Sequence, residues 1–231
     1  QPGLFVLAIL PMGWAAYVAI SLVFRLVATG VPSCTRRGSR YWEGLRAFTL
    51  RQVEGHVSTG CQALSCTCVL VACAVCMICA GLLFSVGQRA AGLANPGAPS
   101  LAPIGYVGIF YGEAFLVAAA AVLALQQVSQ AADGRRAYAT LAALGTDERE
   151  ARGAVQTQVG VAFVLPAALA VVHDCFGLML VRQLAGGVSD EVFLVIAACS
   201  VVGTLGLLAL YYLLCVRECT RVLLGGASSL G

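Results

Sequence analysis

The 231-residue chain is 60% hydrophobic and only 11% charged, with a formal net charge of +3, against roughly 25% charged residues in an ordinary soluble domain. That balance excludes a soluble globular domain, and the positive charge is too small to imply a nucleic-acid partner. Uncharged runs last long enough to cross a ~30 Å hydrocarbon layer, which takes about 20 residues. The expected fold class is therefore all-α: a polytopic integral membrane helical bundle of about five transmembrane helices.

The first span occupies the uncharged run Leu4 to Phe24 and is expected to end near Thr29 and Gly30, before Pro32. It is longer than the ~7–15-residue apolar region of a signal peptide and lacks a basic leader. The chain begins with Gln1 rather than methionine, and it is expected to be a fragment of something longer. After a run of arginines through Arg40, residues 41–57 mix Trp42, Leu45, Phe48, Leu50 and Val53 with Arg46 and Arg51. That mixture suits an amphipathic helix at the inner interface leading straight into the second span.

The second span, about 61–86, lies within the uncharged run Val57 to Gln88 and carries six of the eleven cysteines. Cys61, Cys68 and Cys79 share one helical face, and Cys66, Cys73 and Cys76 share another. A line of thiols on one straight helix does not make the converging four-ligand set of a structural zinc site, so no metal site is expected. The cysteines are read as small apolar packing residues between membrane helices. From Gly87 to Pro103, Pro96, Pro99 and Pro103 with Gly92 and Gly97 predict a short irregular outer loop.

The third span, about 104–127, is expected to continue as a helix to Leu144 and to stop at Gly145, a residue that accepts the left-handed conformation. Thr146, Asp147 and Glu148 then cap and charge the start of the next helix. The resulting elbow presents Tyr138, Leu141 and Leu144 at helical spacing, with Arg135, Arg136, Arg149 and Arg152 around them. Its mixed charge suits a protein partner better than lipid. The fourth span, about 155–181, contains Pro166, which removes an intrahelical hydrogen bond and is expected to kink the helix as a hinge. The fifth span, about 192–216, is uninterrupted. Residues 1–60 thus form a first helix plus a basic, amphipathic loop, and residues 61–231 form the remaining four-helix domain.

All fourteen basic residues are arginine, and only Arg89 and Arg182 lie on the side opposite the others. Because short cytoplasmic loops are enriched in basic residues, the N-terminus is expected outside and the C-terminus in the cytoplasm, with lipid contact by the arginines. Ionisable residues inside spans are costly and mark candidate sites. Glu113 and His173 both fall roughly 12–14 Å from the outer surface at ~1.5 Å per residue. A contact between Glu113 and His173, with Asp174 near it, is expected to bridge the third and fourth spans.

The stretch Tyr111 to His173, YGEAFLVAAAAVLALQQVSQAADGRRAYATLAALGTDEREARGAVQTQVGVAFVLPAALAVVH, resembles the C-terminal FtsX-like permease domain of ABC transporters. The likeness is nearest to the peptide-antibiotic (bacitracin-export) type. It rests on the ordered set Tyr138, Leu144, Gly145, Gln158, Phe163, Pro166 and His173, with Leu50-Arg51-Gln52 and Ser58-Thr59 before the second span. One departure is clear: that type carries a large extracellular domain between the helices matching spans two and three, where this chain has only Gly87 to Pro103. The family also has a first FtsX-like unit upstream.

The resemblance implies a permease subunit in a bacterial plasma membrane that moves or extracts an amphipathic or peptide-like substrate, or confers antimicrobial-peptide resistance. It implies a separate ABC ATPase subunit, in two copies, docked on the elbow at Arg135, Arg136, Tyr138, Leu141, Leu144, Gly145 and Arg149. It further implies another permease half or second permease copy, and a histidine kinase as a signalling partner. The alternative reading is a non-transporting scaffold or sensor that signals to a histidine kinase or a cell-wall enzyme. There is no GxxxxGK[ST] motif and no lysine at all, so no nucleotide site of the usual kind is expected, and ATP enters only through the partner. No catalytic constellation is expected, because His173 and Asp174 with a remote His56 do not supply one.

Overall fold

The computed structural model describes residues 2–35, 42, 44–94, 102–184 and 188–224. They form five helices in chain order: α1 Pro2–Thr35, α2 Arg46–Ala94, α3 Ala102–Ala143, α4 Glu148–Leu184 and α5 Asp190–Leu224. All five contain a window long and apolar enough to cross a membrane. The chain is an all-α, multi-pass membrane helical bundle.

The helices are longer than the hydropathy alone requires. α2 has 49 residues, or about 73 Å at 1.5 Å per residue, more than twice the ~30 Å hydrocarbon thickness. Several expected boundaries shift as a result. α1 continues through Gly30 and Pro32 to Thr35. The amphipathic stretch after Trp42 is not a separate interfacial helix: from Arg46 onward it is the beginning of α2, entered through Gly44 at φ +55°. The expected outer loop also shortens, because Gly87 and Gly92 lie inside α2. A single glycine costs a helix only about 1 kcal/mol, which a long apolar helix absorbs. α2 runs to Ala94, and the remainder of the expected loop, residues 95–101, lies outside the described residues. α3 opens with Pro103 in its first turn, where a missing N–H costs nothing.

The contacts divide the chain into two compact units. One comprises Gln1–Thr67, Val122–Pro166 and Tyr211–Gly231; the other comprises Cys68–Ala121 and Ala167–Leu210. The first unit is built around Phe24, Leu64, Leu123 and Val155, all essentially inaccessible. There Ser21 Oγ on α1 donates to Ser65 Oγ on α2 at 3.0 Å, and Cys61 Sγ reaches the Ser21 carbonyl at 3.4 Å. Phe163 of α4 meets Tyr212 of α5 edge-on, with ring centroids 5.9 Å apart.

The second unit is organised by a close crossing of α2 and α3. A methyl group at Gly81 would lie 2.5 Å from the Gly105 carbonyl oxygen, and one at Gly112 would lie 3.0 Å from the Ala74 carbonyl oxygen. Gly108 likewise faces the Met77 carbonyl and the Gly81 backbone. In lipid, where apolar side chains gain nothing by leaving solvent, such backbone proximity is the main source of helix association. Nearby, Cys79, Leu83 and Ala197 form a buried cluster covered by Leu178, Phe193 and Ile196.

The two cysteine stripes of α2 separate as their spacing requires. Cys61, Cys68 and Cys79 are buried, Cys66 and Cys73 are exposed, and Cys76 is half-buried. Among the described residues, no group of three or more His, Cys, Asp and Glu side chains converges on a metal position.

Candidate functional site

The elbow between α3 and α4 is closed by backbone geometry. Gly145 adopts φ +83°; its N–H donates to Ala142 O at 3.0 Å, and the Thr146 N–H donates to Leu141 O at 3.2 Å. This bond pair is the glycine-terminated helix end in which the otherwise orphaned last carbonyls are satisfied. Two residues later, at Glu148, α4 begins. Ala151 N donates to Asp147 O at 3.1 Å, and the Asp147 carboxylate accepts from Arg149 N at 3.4 Å, so Asp147 is the N-cap. Glu148 and Glu150 occupy the first turn, where negative charge favours the helix dipole.

The expected elbow surface is real in part. Leu144 is 79% exposed at the tip, Arg136 and Arg149 are exposed, and Leu141 is half-buried. Tyr138 does not belong to that surface: it is 3% exposed and points inward, with its ring edge-on to Phe48 at 5.4 Å. The outward spacing failed for Tyr138 because the N-terminal turns of α2 cover that side of α3. Arg135 is exposed but donates from Nε to the Val222 carbonyl in the last turn of α5 at 3.0 Å. Arg152 is paired with Glu148, four residues earlier on the same helix. Beside the elbow lies a groove of about 740 Å³, whose walls include Leu141, Thr146, Glu148, Arg152, Arg217 and Arg221.

Behind the elbow, glutamines collect between helices. Gln52 and His56 on α2, Gln126, Gln127 and Gln130 on α3, and Gln158 on α4 line two small cavities. Gln127 Nε2 donates to Gln130 Oε1 at 3.2 Å, and Gln126 Nε2 reaches across to the Gly60 carbonyl at 3.5 Å. A methyl group at Gly60 would lie 1.9 Å from Gln126 Nε2, so the missing side chain is what admits the amide. Of these residues, Gln158 and Gln52 are singled out in the sequence, and the cluster as such is not expected from it. Its signal was the run QQVSQ closing an apolar span, with Gln156, Thr157 and Gln158 opening the next one across the elbow.

The ionisable residues of the spans arrange differently from expectation. Glu113 and His173 are both exposed, and among the described residues no hydrogen bond or ion pair joins them, so the expected bridge is not formed. Both depth estimates rest on position along the chain, and depth carries no information about which way a helix face turns. Asp174 is the buried residue of the group, 3% exposed. Its Oδ1 accepts from Cys76 Sγ on α2 at 3.6 Å, while Oδ2 has no partner. Pro166 lies inside α4 and is fully buried.

No family model matches the chain, and no solved structure matches it. A curated protein, the ABC transporter permease protein YxdM of Bacillus subtilis (strain 168), is 34% identical over 73 residues, which is 32% of this chain and 12% of that protein. The chain thus spans a small part of the relative it matches. This local similarity, together with five apolar helices, supports kinship with ABC transporter permeases and a multi-pass membrane location.

Proposed function

We propose that this chain is part of an FtsX-like ABC permease, nearest to the peptide-antibiotic type, whose elbow receives a separate ATPase subunit on the cytoplasmic face. The single observation that carries this reading is the elbow itself. It is a rigidly capped turn that holds a large apolar side chain, Leu144, 79% exposed, beyond the apolar spans. Leu144 stands with exposed Arg136 and Arg149 near it, a mixture of apolar anchor and charge that suits a protein partner. The adjacent groove gives an element of the partner a place to seat.

In this reading Leu141 and Leu144 are the apolar contacts, Arg136 and Arg149 supply charge complementarity, and Gly145 sets the turn. Tyr138 and Arg135 support the elbow from behind rather than touching the partner. The chain contributes no catalysis and holds no ATP; binding and hydrolysis belong to the ATPase subunits. Their closure moves the elbow, and α4 transmits the movement, with Pro166 as a point of compliance because its ring removes the hydrogen bond to the Ala162 carbonyl. The cargo is an amphipathic or peptide-like substrate, and the N-terminus lies outside.

The test is co-purification of the ATPase with the full-length permease. Leu141→Glu combined with Leu144→Glu should abolish it while the melting temperature of the detergent-solubilised permease stays within a few degrees. Undiminished co-purification would refute the docking assignment.

A further inference from the structure

The groove beside the elbow carries charge that docking at Leu141 and Leu144 does not use. The elbow contributes Leu141, Ala142 and Thr146 to its walls, whereas α4 and α5 contribute Arg152, Arg217 and Arg221. Arg152 pairs with Glu148, and Arg221 pairs with Glu218. Both pairs are exposed, and exposed pairs are screened and readily exchanged. Arg217 has no hydrogen bond or ion pair among the described residues. Three guanidiniums against two carboxylates leave one positive charge in excess.

The height of these arginines along their helices decides what meets them. Arg217 is the first charged residue after the uncharged run from Val192 to Val216, and Arg152 is the last before the uncharged run from Gly153 to Val172. Both therefore mark the same end of two spans, the level at which hydrocarbon gives way to lipid headgroups. On α5, Leu213, Arg217 and Thr220 recur at i, i+4 and i+7 and share one helical face. Leu213 is 62% exposed, while Arg217 and Thr220 line the groove with Val216. That face is apolar toward the middle of the span and basic, with a hydroxyl donor, at its end. The order is that of acyl chain and headgroup in a phospholipid. A protein segment reaching this level has to displace headgroups, whereas a lipid is already there.

We propose that the groove holds one anionic phospholipid between α4 and α5, its phosphate bound by Arg217 and flanked by Arg152, Arg221 and the Thr220 hydroxyl, with an acyl chain along Val216 and Leu213. The phosphodiester of such a lipid carries one negative charge, equal to the excess in the groove, and a guanidinium fork matches two of its oxygens. Basic pockets between membrane helices hold headgroups in this way. The lipid joins the start of α4 to the end of α5, so the membrane itself braces the base of the elbow. The site depends on the membrane fold and on this groove, not on what docks at the elbow.

Native mass spectrometry of the full-length permease, delipidated in detergent and free of ATPase, tests this by titration with dioleoyl phosphatidylglycerol or zwitterionic dioleoyl phosphatidylcholine. One phosphatidylglycerol should bind about tenfold more tightly than phosphatidylcholine. Arg217→Gln should remove that preference, and Arg217→Lys, which keeps the charge, should retain most of it. Arg51→Gln, at an exposed arginine of α2 outside the groove, should leave it intact. Equal losses at Arg51 and Arg217 would show diffuse basicity in place of a site, and binding without headgroup preference would overturn the proposal outright. Excess glycerol 3-phosphate separates the two sources of phosphate: the expected result is that the lipid stays bound, and its release would assign the groove to a soluble phosphate instead.

Discussion

Arg135, near the end of α3, donates from Nε to the backbone carbonyl of Val222 in the last turn of α5. The bond joins elements 87 residues apart in sequence and places a cation where the α5 carbonyls run out of intrahelical partners. Arg135→Gln should therefore loosen the end of α5 by about 0.5–1 kcal/mol. The expected readout is faster amide exchange confined to the last turn of α5, with exchange in α2 unchanged.

Gly145 is the residue on which the elbow turns. At φ +83°, an alanine bears a left-handed backbone penalty of roughly 1–2 kcal/mol, and asparagine bears less. Thermal unfolding in detergent should rank wild type above Gly145→Asn, and Gly145→Asn above Gly145→Ala. An alanine variant as stable as wild type would contradict the geometry.

The crossing of α2 and α3 depends on glycine at Gly81 and Gly108. Gly81→Ala places a methyl against a backbone carbonyl, which cannot rotate away, so a loss of about 1–3 kcal/mol is expected from overpacking. Gly203 and Gly206 on α5 have nothing within 4 Å of an added methyl. Gly203→Ala should be neutral or stabilising by up to ~1 kcal/mol. The contrast in melting temperature between the two substitutions is the measurement.

The cysteines of α2 should separate by accessibility. Cys66 and Cys73 are exposed, whereas Cys61, Cys68 and Cys79 are buried. Peptide mass spectrometry after brief treatment with N-ethylmaleimide in detergent should find the first pair modified ahead of the second group, which becomes reactive only on unfolding. Early modification of Cys68 or Cys79 would show that the stripe assignment is reversed.

Asp174 keeps a buried carboxyl whose Oδ1 contacts Cys76. Asp174→Asn retains the acceptor and removes the formal charge, so it should preserve or raise thermal stability. Asp174→Leu removes the acceptor and forces a branched side chain between α4 and Cys76, and it should lower stability by about 1–3 kcal/mol.

What the amino-acid order determined by itself is the set of elements that local chemistry controls. Long apolar runs with few ionisable residues made five spans, because the cost of charge in lipid is fixed residue by residue. Leu144-Gly145-Thr146-Asp147 made the elbow, because a left-handed glycine and an N-cap act within a few residues. The two cysteine stripes followed from helical spacing alone. Which stripe is buried, by contrast, was settled only when α2 met its neighbours, since in lipid both faces of a span are apolar and hydropathy does not choose between them. The same ambiguity hid Tyr138, which Phe48 covers from a segment 90 residues away in sequence. It also misplaced Glu113 and His173, because position along a span does not tell which way each helix face turns. The glutamine cluster has the same origin: five amides scattered over three helices become one polar site only because tertiary packing brings them together.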